Sequence, residues 1–203
     1  MKRLKTIAAA VLSAVALAGT LGLATACSSP STDTAAPAYV SPYDWNGLER
    51  SGANNDRLAY YEDGTLRSRL GVDVSDHQGV IDWNAVAADG IDFAMVRVGN
   101  RGYTEGALYA DERYAENIDN ATSAGLDVGA YFFSQAVSVE EAREEADFVL
   151  ELLAGRHLAF PVVYDHEPVS DASGRANNLD RETLTASARA FCERLEQGGV
   201  LHD

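Results

Sequence analysis

From residue 70 onward, short apolar segments alternate with segments whose apolar residues recur every three or four positions. The first pattern is typical of buried strands, and the second of helices that pack one face against a core. Four such strand–helix pairs follow one another along the chain. The predicted strands are residues 70–74, 93–98, 128–133 and 160–165.

Capping residues and glycines indicate where the helices begin and end. Asp82 and Asp180 each precede a helical segment, and Ser138 followed three positions later by Glu141 is the pattern of a capping box. Glycines, which readily adopt the left-handed conformation of a helix terminus, follow each segment. The predicted helices are approximately residues 82–90, 110–124, 138–154 and 180–198.

This alternation predicts an α/β fold with a parallel sheet covered by helices. No glycine-rich phosphate-binding turn follows the first strand, which argues against a dinucleotide-binding fold. We therefore expect a TIM-like (β/α) barrel. Eight units need roughly 250 residues, whereas residues 70–203 hold about four βα units. The barrel is expected to be incomplete in this chain, which ends where a fifth strand should begin.

The first 42 residues do not resemble a folded domain. Residues 1–26 combine a basic start with an uncharged, alanine-rich stretch, which is typical of a secretory signal peptide. Small residues before Cys27 resemble a bacterial lipoprotein cleavage site, so we expect Cys27 to be lipidated and to anchor the protein at the cell surface. An uncleaved membrane anchor or an ordinary signal peptide remains the alternative. Residues 27–42, rich in Ser, Thr, Ala and Pro, predict a flexible tether.

A small segment, residues 43–69, separates this tether from the alternating region. Within it, Asp63-Gly64 lies between two runs of strand-forming residues. Asp-Gly between such runs is a strong hairpin pattern, because the turn needs residues that accept positive φ. We expect a β-hairpin extension that leads into a partial catalytic domain at residues 70–203.

The charge and the histidines exclude several kinds of partner. The net charge is −15, which argues against nucleic acid, since nucleic-acid binding needs clustered positive charge. The four histidines show no metal-binding spacing and the two cysteines form no cluster. We therefore expect neither a metal nor another cofactor.

Candidate catalytic groups lie where the predicted strands end, because chemistry in (β/α) barrels sits at the carboxyl ends of strands. Asp165 and Glu167 end the fourth strand, and residues i and i+2 of a strand point to the same side. Two neighbouring carboxylates raise one another's pKa, so one can hold a proton while the other stays charged. Glycoside hydrolysis uses such a pair. A solvated acidic strand end is the alternative.

Asp73 is the second unusual acid, because it lies inside the short first strand. Burying a carboxylate there is costly unless it is paired or functional. It could cap the loop at Ser75 or face the same cleft as the other two acids, and the residues alone leave both open.

Four segments in order resemble family 25 of the glycoside hydrolases, the cell-wall lysozymes. They are residues 71–79 (GVDVSDHQG) with 81–83 (IDW), 92–97 (DFAMVR), 129–134 (GAYFFS) and 161–167 (PVVYDHE). The last segment ends in the Asp-x-Glu motif of that family. The resemblance implies a modified (β/α) barrel that cuts the β-1,4 bond from N-acetylmuramic acid to N-acetylglucosamine in peptidoglycan.

By position, the resemblance implies that Glu167 is the general acid/base and that Asp165 orients the substrate's 2-acetamido group as internal nucleophile. Asp73 corresponds to an active-site aspartate of the family. Arg97, Tyr131 and Gln78 are expected to bind substrate. Two alternatives remain: a non-catalytic glycan-binding lipoprotein or inactive fragment, and a chitinase-like hydrolase, which the absence of further upstream aspartates disfavours.

Overall fold

The computed structural model describes residues 40–52 and 57–199. The predicted signal peptide, Cys27 and nearly all of the predicted tether lie outside these residues. From residue 42 onward the chain forms one unit by its internal contacts. No helix in the described ranges is both long enough and apolar enough to cross a membrane.

A parallel sheet forms the centre of this unit, as the alternating pattern predicted. Its strands are β4 (Gly71–Val74), β5 (Phe93–Arg101), β7 (Asp127–Phe133) and β8 (Val162–Asp165), in the spatial order β4-β5-β7-β8. Each neighbouring pair is parallel. Because spatial order follows chain order and all strands run one way, their carboxyl ends meet along one edge of the sheet.

Four helices connect and cover these strands: α1 (Trp83–Ala88), α2 (Tyr114–Ser123), α3 (Val139–Leu152) and α4 (Arg181–Gln197). Their starts follow the predicted caps. The side chain of Asp82 accepts a hydrogen bond from Ala85 N, that of Ser138 from Glu141 N, and that of Asp180 from Thr183 N. These bonds satisfy amide groups that the first turn of a helix leaves unpaired.

Two local predictions were wrong. The second helix was expected to begin near Ala110, but Leu108–Ala110 form strand β6, antiparallel to the end of β5, so the helix starts at Tyr114. The capping box at Ser138 is also only half formed. The Glu141 carboxylate accepts instead from Val137 N, at 2.9 Å, and binds Arg175.

The two faces of the sheet have different environments. Along β5, Ala94, Val96 and Val98 are buried and belong to the core beneath the helices. The aromatic ring of Phe132 on β7 lies 6.4 Å from that of Phe191 on α4. The alternate residues of each strand point the opposite way, so the other face of the sheet is free to line a cleft.

Before the parallel sheet lies a separate three-stranded antiparallel sheet. It contains β1 (Leu48–Ser51), β2 (Arg57–Glu62) and β3 (Thr65–Leu66), in that order. The predicted hairpin turn joins β2 and β3, and both of its residues have positive φ, 48° at Asp63 and 74° at Gly64. Arg57 of β2 joins this sheet to the segment after α1 by donating a hydrogen bond to Asp89 O at 2.7 Å.

Candidate active site

A cleft of about 390 Å³ opens on the face of the parallel sheet opposite the helices. It is lined by residues of β4, β5, β7 and β8 and by Glu167, which follows β8. All three predicted acids and two of the three predicted binding residues are among them. The lining residues are Asp73, Met95, Arg97, Tyr131, Phe133, Val163, Asp165 and Glu167.

Asp165 and Glu167 reach this cleft together, as the Asp-x-Glu spacing predicted. Asp165 is the last residue of β8 and is half-buried, whereas Glu167 follows the strand and is exposed. Burial raises the pKa of Asp165 above its usual value, and the negative charges of Glu167 and Asp73 raise it further. Asp165 therefore holds its proton more firmly than a free aspartate does.

Asp73 does not cap the adjacent loop. It is an exposed residue of β4 that lines the same cleft. Facing an open cleft removes the cost of burying an unpaired carboxylate inside a short strand.

Tyr131 lines the cleft from β7, and its phenol stays protonated over a wide pH range. Burial raises the pKa of its phenol to about 12, with smaller increases from Asp73 and Asp165 and an opposing effect of Arg97. Its hydroxyl can therefore donate a hydrogen bond to a ligand at any pH near neutrality.

Arg97 lies at the cleft but is engaged by two carboxylates. Its Nε donates to Asp111 Oδ2 at 2.9 Å, and its Nη2 donates to Asp76 Oδ1 at 2.6 Å. The Asp111 side chain is fully buried and also accepts from Asp76 N at 2.9 Å. Arg97 thus lines the cleft and holds the loop after β4 through Asp76, and its positive charge is balanced by two carboxylates.

Gln78 is not among the residues that line the cleft, and its predicted role in binding substrate stays a prediction. Gln78 Oε1 accepts hydrogen bonds from Ser75 N at 2.7 Å and from Ser75 Oγ at 3.3 Å. These bonds complete a capping box on the short 3-10 helix Asp76–Gln78. The side-chain oxygen of Gln78 is therefore occupied in shaping the loop.

Behind β7, a buried ion pair that the sequence analysis did not identify supports the cleft. Glu145 on α3 accepts from Arg101 Nε at 2.8 Å and from Ser134 Oγ at 2.6 Å. Both charged side chains are almost completely buried. Burial raises the pKa of Glu145, although the hydrogen bonds from Ser134 and Arg101 and the charge of Arg101 lower it.

The residues just after β7 also hold the main chain of the acidic segment. Ser134 N donates to Asp165 O at 2.7 Å, and Gln135 Nε2 donates to Glu167 O at 2.9 Å. The sequence predicts that Ser134 and Gln135 follow a strand, but no local pattern in it indicates that they contact the acids.

No group of three or more His, Cys, Asp or Glu side chains in the described ranges is placed to hold a metal ion. The cleft presents three carboxyl groups and the phenol of Tyr131.

The chain resembles known glycosyl hydrolases in sequence and fold. Residues 72–201 match the model of the family described as glycosyl hydrolases family 25. The chain is 37% identical over 78 residues to lysozyme M1 of Streptomyces globisporus, covering 38% of this chain and 24% of that protein. It is 30% identical over 130 residues to the autolytic lysozyme of Clostridium acetobutylicum, covering 64% of this chain and 36% of that one.

The fold is also similar to that of a solved family 25 structure. A family 25 glycosyl hydrolase from Bacillus anthracis superposes with a TM-score of 0.52 at 26% identity, over 68% of this chain and 59% of that one. This chain spans only about a quarter to a third of the length of the two lysozymes named above.

Proposed function

The chain belongs to glycosyl hydrolase family 25, and from this membership and the cleft we propose that it is a lysozyme that hydrolyses peptidoglycan. The bond cut would be the β-1,4 link from N-acetylmuramic acid to N-acetylglucosamine. One observation carries the proposal: Asp73, Asp165 and Glu167 line a single cleft at the carboxyl ends of parallel strands.

In this proposal Glu167 donates a proton to the glycosidic oxygen while the carbonyl oxygen of the 2-acetamido group attacks the anomeric carbon. The bond to the leaving sugar breaks, and a cyclic oxazolinium ion forms. Glu167 then removes a proton from a water that opens this ring with net retention. The exposed position of Glu167 supports this role, because the group must reach both the leaving oxygen and solvent.

Asp165 would orient the acetamido group and stabilise the positive charge that develops on it. Its half-buried position supports this role, since a carboxylate acts more strongly where water is partly excluded. Tyr131 would donate a hydrogen bond to the sugar, and Asp73 would add negative charge on the facing strand. Arg97 would hold the loop after β4, next to the cleft, through Asp76.

The proposed hydrolysis can be tested by analysing the products and by substituting Glu167. We expect the full chain to release glycan fragments with reducing N-acetylmuramic acid ends from purified peptidoglycan, identified by mass spectrometry. Glu167→Gln should lower turnover by about 10²–10⁴-fold with an unchanged melting temperature, because it keeps the shape but removes the transferable proton. Glu151→Gln, at an exposed position on α3, is the control. Reducing N-acetylglucosamine ends, or substantial turnover by Glu167→Gln, would contradict the assignment.

The strand order supports a further proposal about architecture. We propose that β4, β5, β7 and β8 are successive strands of a TIM-like (β/α) barrel, with the small antiparallel sheet as an extension before it. Helices cover one face and the acidic cleft occupies the other, as in a barrel whose inner face carries the chemistry.

We also propose that the protein acts outside the cytoplasmic membrane as a lipoprotein. The support is the sequence pattern before Cys27 together with the relatives, which are bacterial lysozymes. Cys27→Ser should move the protein from the membrane fraction to the soluble fraction. Cys192→Ser is the matched control, because Cys192 is free and exposed on α4. Membrane retention of Cys27→Ser would favour an uncleaved anchor.

A further inference from the structure

We propose that Gln135 is a positioning residue that sets the location of Glu167 by extending the β7–β8 hydrogen-bond ladder with its side chain. This inference rests on the proposed role of Glu167 as acid/base. Gln135 does not line the cleft, so it would act through the main chain of Glu167.

Strands β7 and β8 are joined by a regular parallel hydrogen-bond ladder. Parallel strands β7 and β8 pair Phe133 with Asp165, and the next bond runs from Ser134 N to Asp165 O at 2.7 Å. In a parallel ladder the next bond donated from the β7 side would come from the amide two residues on, Ala136 N, to Glu167 O. Ala136 N instead donates to Ser134 Oγ at 3.2 Å, because the chain turns away from β8 there.

The side chain of Gln135 supplies the missing donor. Its Nε2 donates to Glu167 O at 2.9 Å, where the main chain would have done so in a longer strand. The carbonyls of Asp165 and Glu167 are thus both held by consecutive residues after β7. This keeps the two acids at strand-like spacing although β8 has ended at Asp165.

Gln135 is itself firmly held. Its side chain is fully buried, and its main-chain oxygen accepts from Arg175 Nη1 at 3.2 Å. Arg175 lies beyond Glu167 in the chain and forms two further bonds with Glu141, at 2.7 and 2.8 Å. The donor therefore sits on a rigid support that links α3, the end of β7 and the segment after β8.

One feature of Gln135 is unfavourable for stability alone. Its Oε1 is buried and has no hydrogen-bond partner within the described part of the chain. An apolar side chain of the same length would avoid that unpaired oxygen. A glutamine that leaves one polar atom unsatisfied while directing the other at Glu167 fits a positioning role better than a packing role.

Gln135→Met tests this directly, because methionine keeps the length and the burial but cannot donate. We expect kcat on peptidoglycan to fall about 10–100-fold, since a displacement near 1 Å at a reacting group can cost that much. KM should stay within about twofold and the melting temperature should not fall, because the substrate contacts and the packing remain. Gln197→Met, at the exposed end of α4, is the matched control.

Gln135→Glu adds a readout that a packing role would not produce. The introduced carboxyl group can donate to Glu167 O only while it is protonated. Activity relative to the unmodified protein should therefore fall as pH rises through the pKa of that group. A pH profile parallel to that of the unmodified protein would overturn the inference.

Amide hydrogen exchange separates failure of this inference from failure of the proposed function. Gln135→Met should increase exchange in the segment at residues 165–169, while Gln197→Met should not. If the unmodified protein shows no hydrolysis, the proposed function fails, and exchange alone decides the positioning role. Unchanged exchange in that segment would overturn it.

Discussion

Replacing Arg101 by methionine should destabilise the protein far more than an equivalent change at the surface. Arg101 is almost completely buried and donates four hydrogen bonds. They go to Glu145 Oε1, Glu144 Oε2 and the main-chain oxygens of Gly106 and Glu141, at 2.7–3.2 Å. Methionine fills much of the same apolar space, so the change chiefly removes charge and donors.

The expected loss of folding free energy follows from the buried carboxylate that Arg101→Met leaves without its cation. Glu145 stays fully buried with Ser134 Oγ but without its cation. Removing one partner of a buried ion pair typically costs about 3–5 kcal/mol. Folding free energies of single domains are about 5–15 kcal/mol, so the variant should retain only a small margin of stability.

The loss should also depend on pH. Burial already raises the pKa of Glu145, and removing Arg101 takes away a charge and a hydrogen bond that lower it. When a carboxyl group has a higher pKa in the folded state than in the unfolded state, the protein becomes less stable as pH rises from the lower to the higher of these two values. The destabilisation caused by Arg101→Met should therefore be smaller near pH 5 than near pH 8.

Urea unfolding at both pH values measures this effect, with Arg113→Met as the control. Arg113 pairs with Glu116 at the surface, where such pairs contribute about 0–1 kcal/mol. The double variant Arg101→Met/Glu145→Leu should recover most of the lost stability, because no unpaired charge remains buried. A loss for Arg101→Met no greater than that for Arg113→Met would refute this reasoning.

Two further predictions concern the cleft and the sheet. Asp73→Asn should lower the pKa of Asp165 by removing a nearby negative charge, which a carbon-13 NMR titration of the Asp165 carboxyl would detect; an unchanged titration would mean that these acids do not interact. Gly129→Ala should cost about 1–3 kcal/mol in thermal unfolding through overpacking, because an added Cβ would lie 2.5 Å from Met95 Sδ and 2.8 Å from Phe160 Cβ. Stability equal to that of the unmodified protein would show that the sheet relaxes there.

The regular part of the fold was predictable because its signals are local. Periodicity identified the four parallel strands, and Asp82, Ser138 and Asp180 located helix starts by side-chain capping. Strand β6 was missed because Leu108–Ala110 become a strand only by pairing with the end of β5. Strand β1 was missed because all four of its residues are exposed and show no alternation of buried and exposed positions.

The cleft residues were predictable because strand ends meet at one edge of a parallel sheet. The residues that support them were not, because their partners are distant in the chain: 44 residues separate Arg101 from Glu145. Glu145 also lies within an acidic stretch of α3, and such a stretch is typical of a helix face exposed to solvent. Its burial depends on which turn of α3 faces the sheet beside Ser134, and local sequence does not specify that partner.

Ser134 connects this buried charge to the proposed catalytic strand. Its hydroxyl donates to Glu145, and its amide donates to Asp165 O. The next residue, Gln135, donates to Glu167 O. Both bonds are accepted by main-chain oxygens of the acids, and the donor to Glu167 O is the side chain of Gln135. The geometry of the cleft therefore depends on the Arg101–Glu145 pair and on Gln135 as well as on the acids, although neither of these supports lines it.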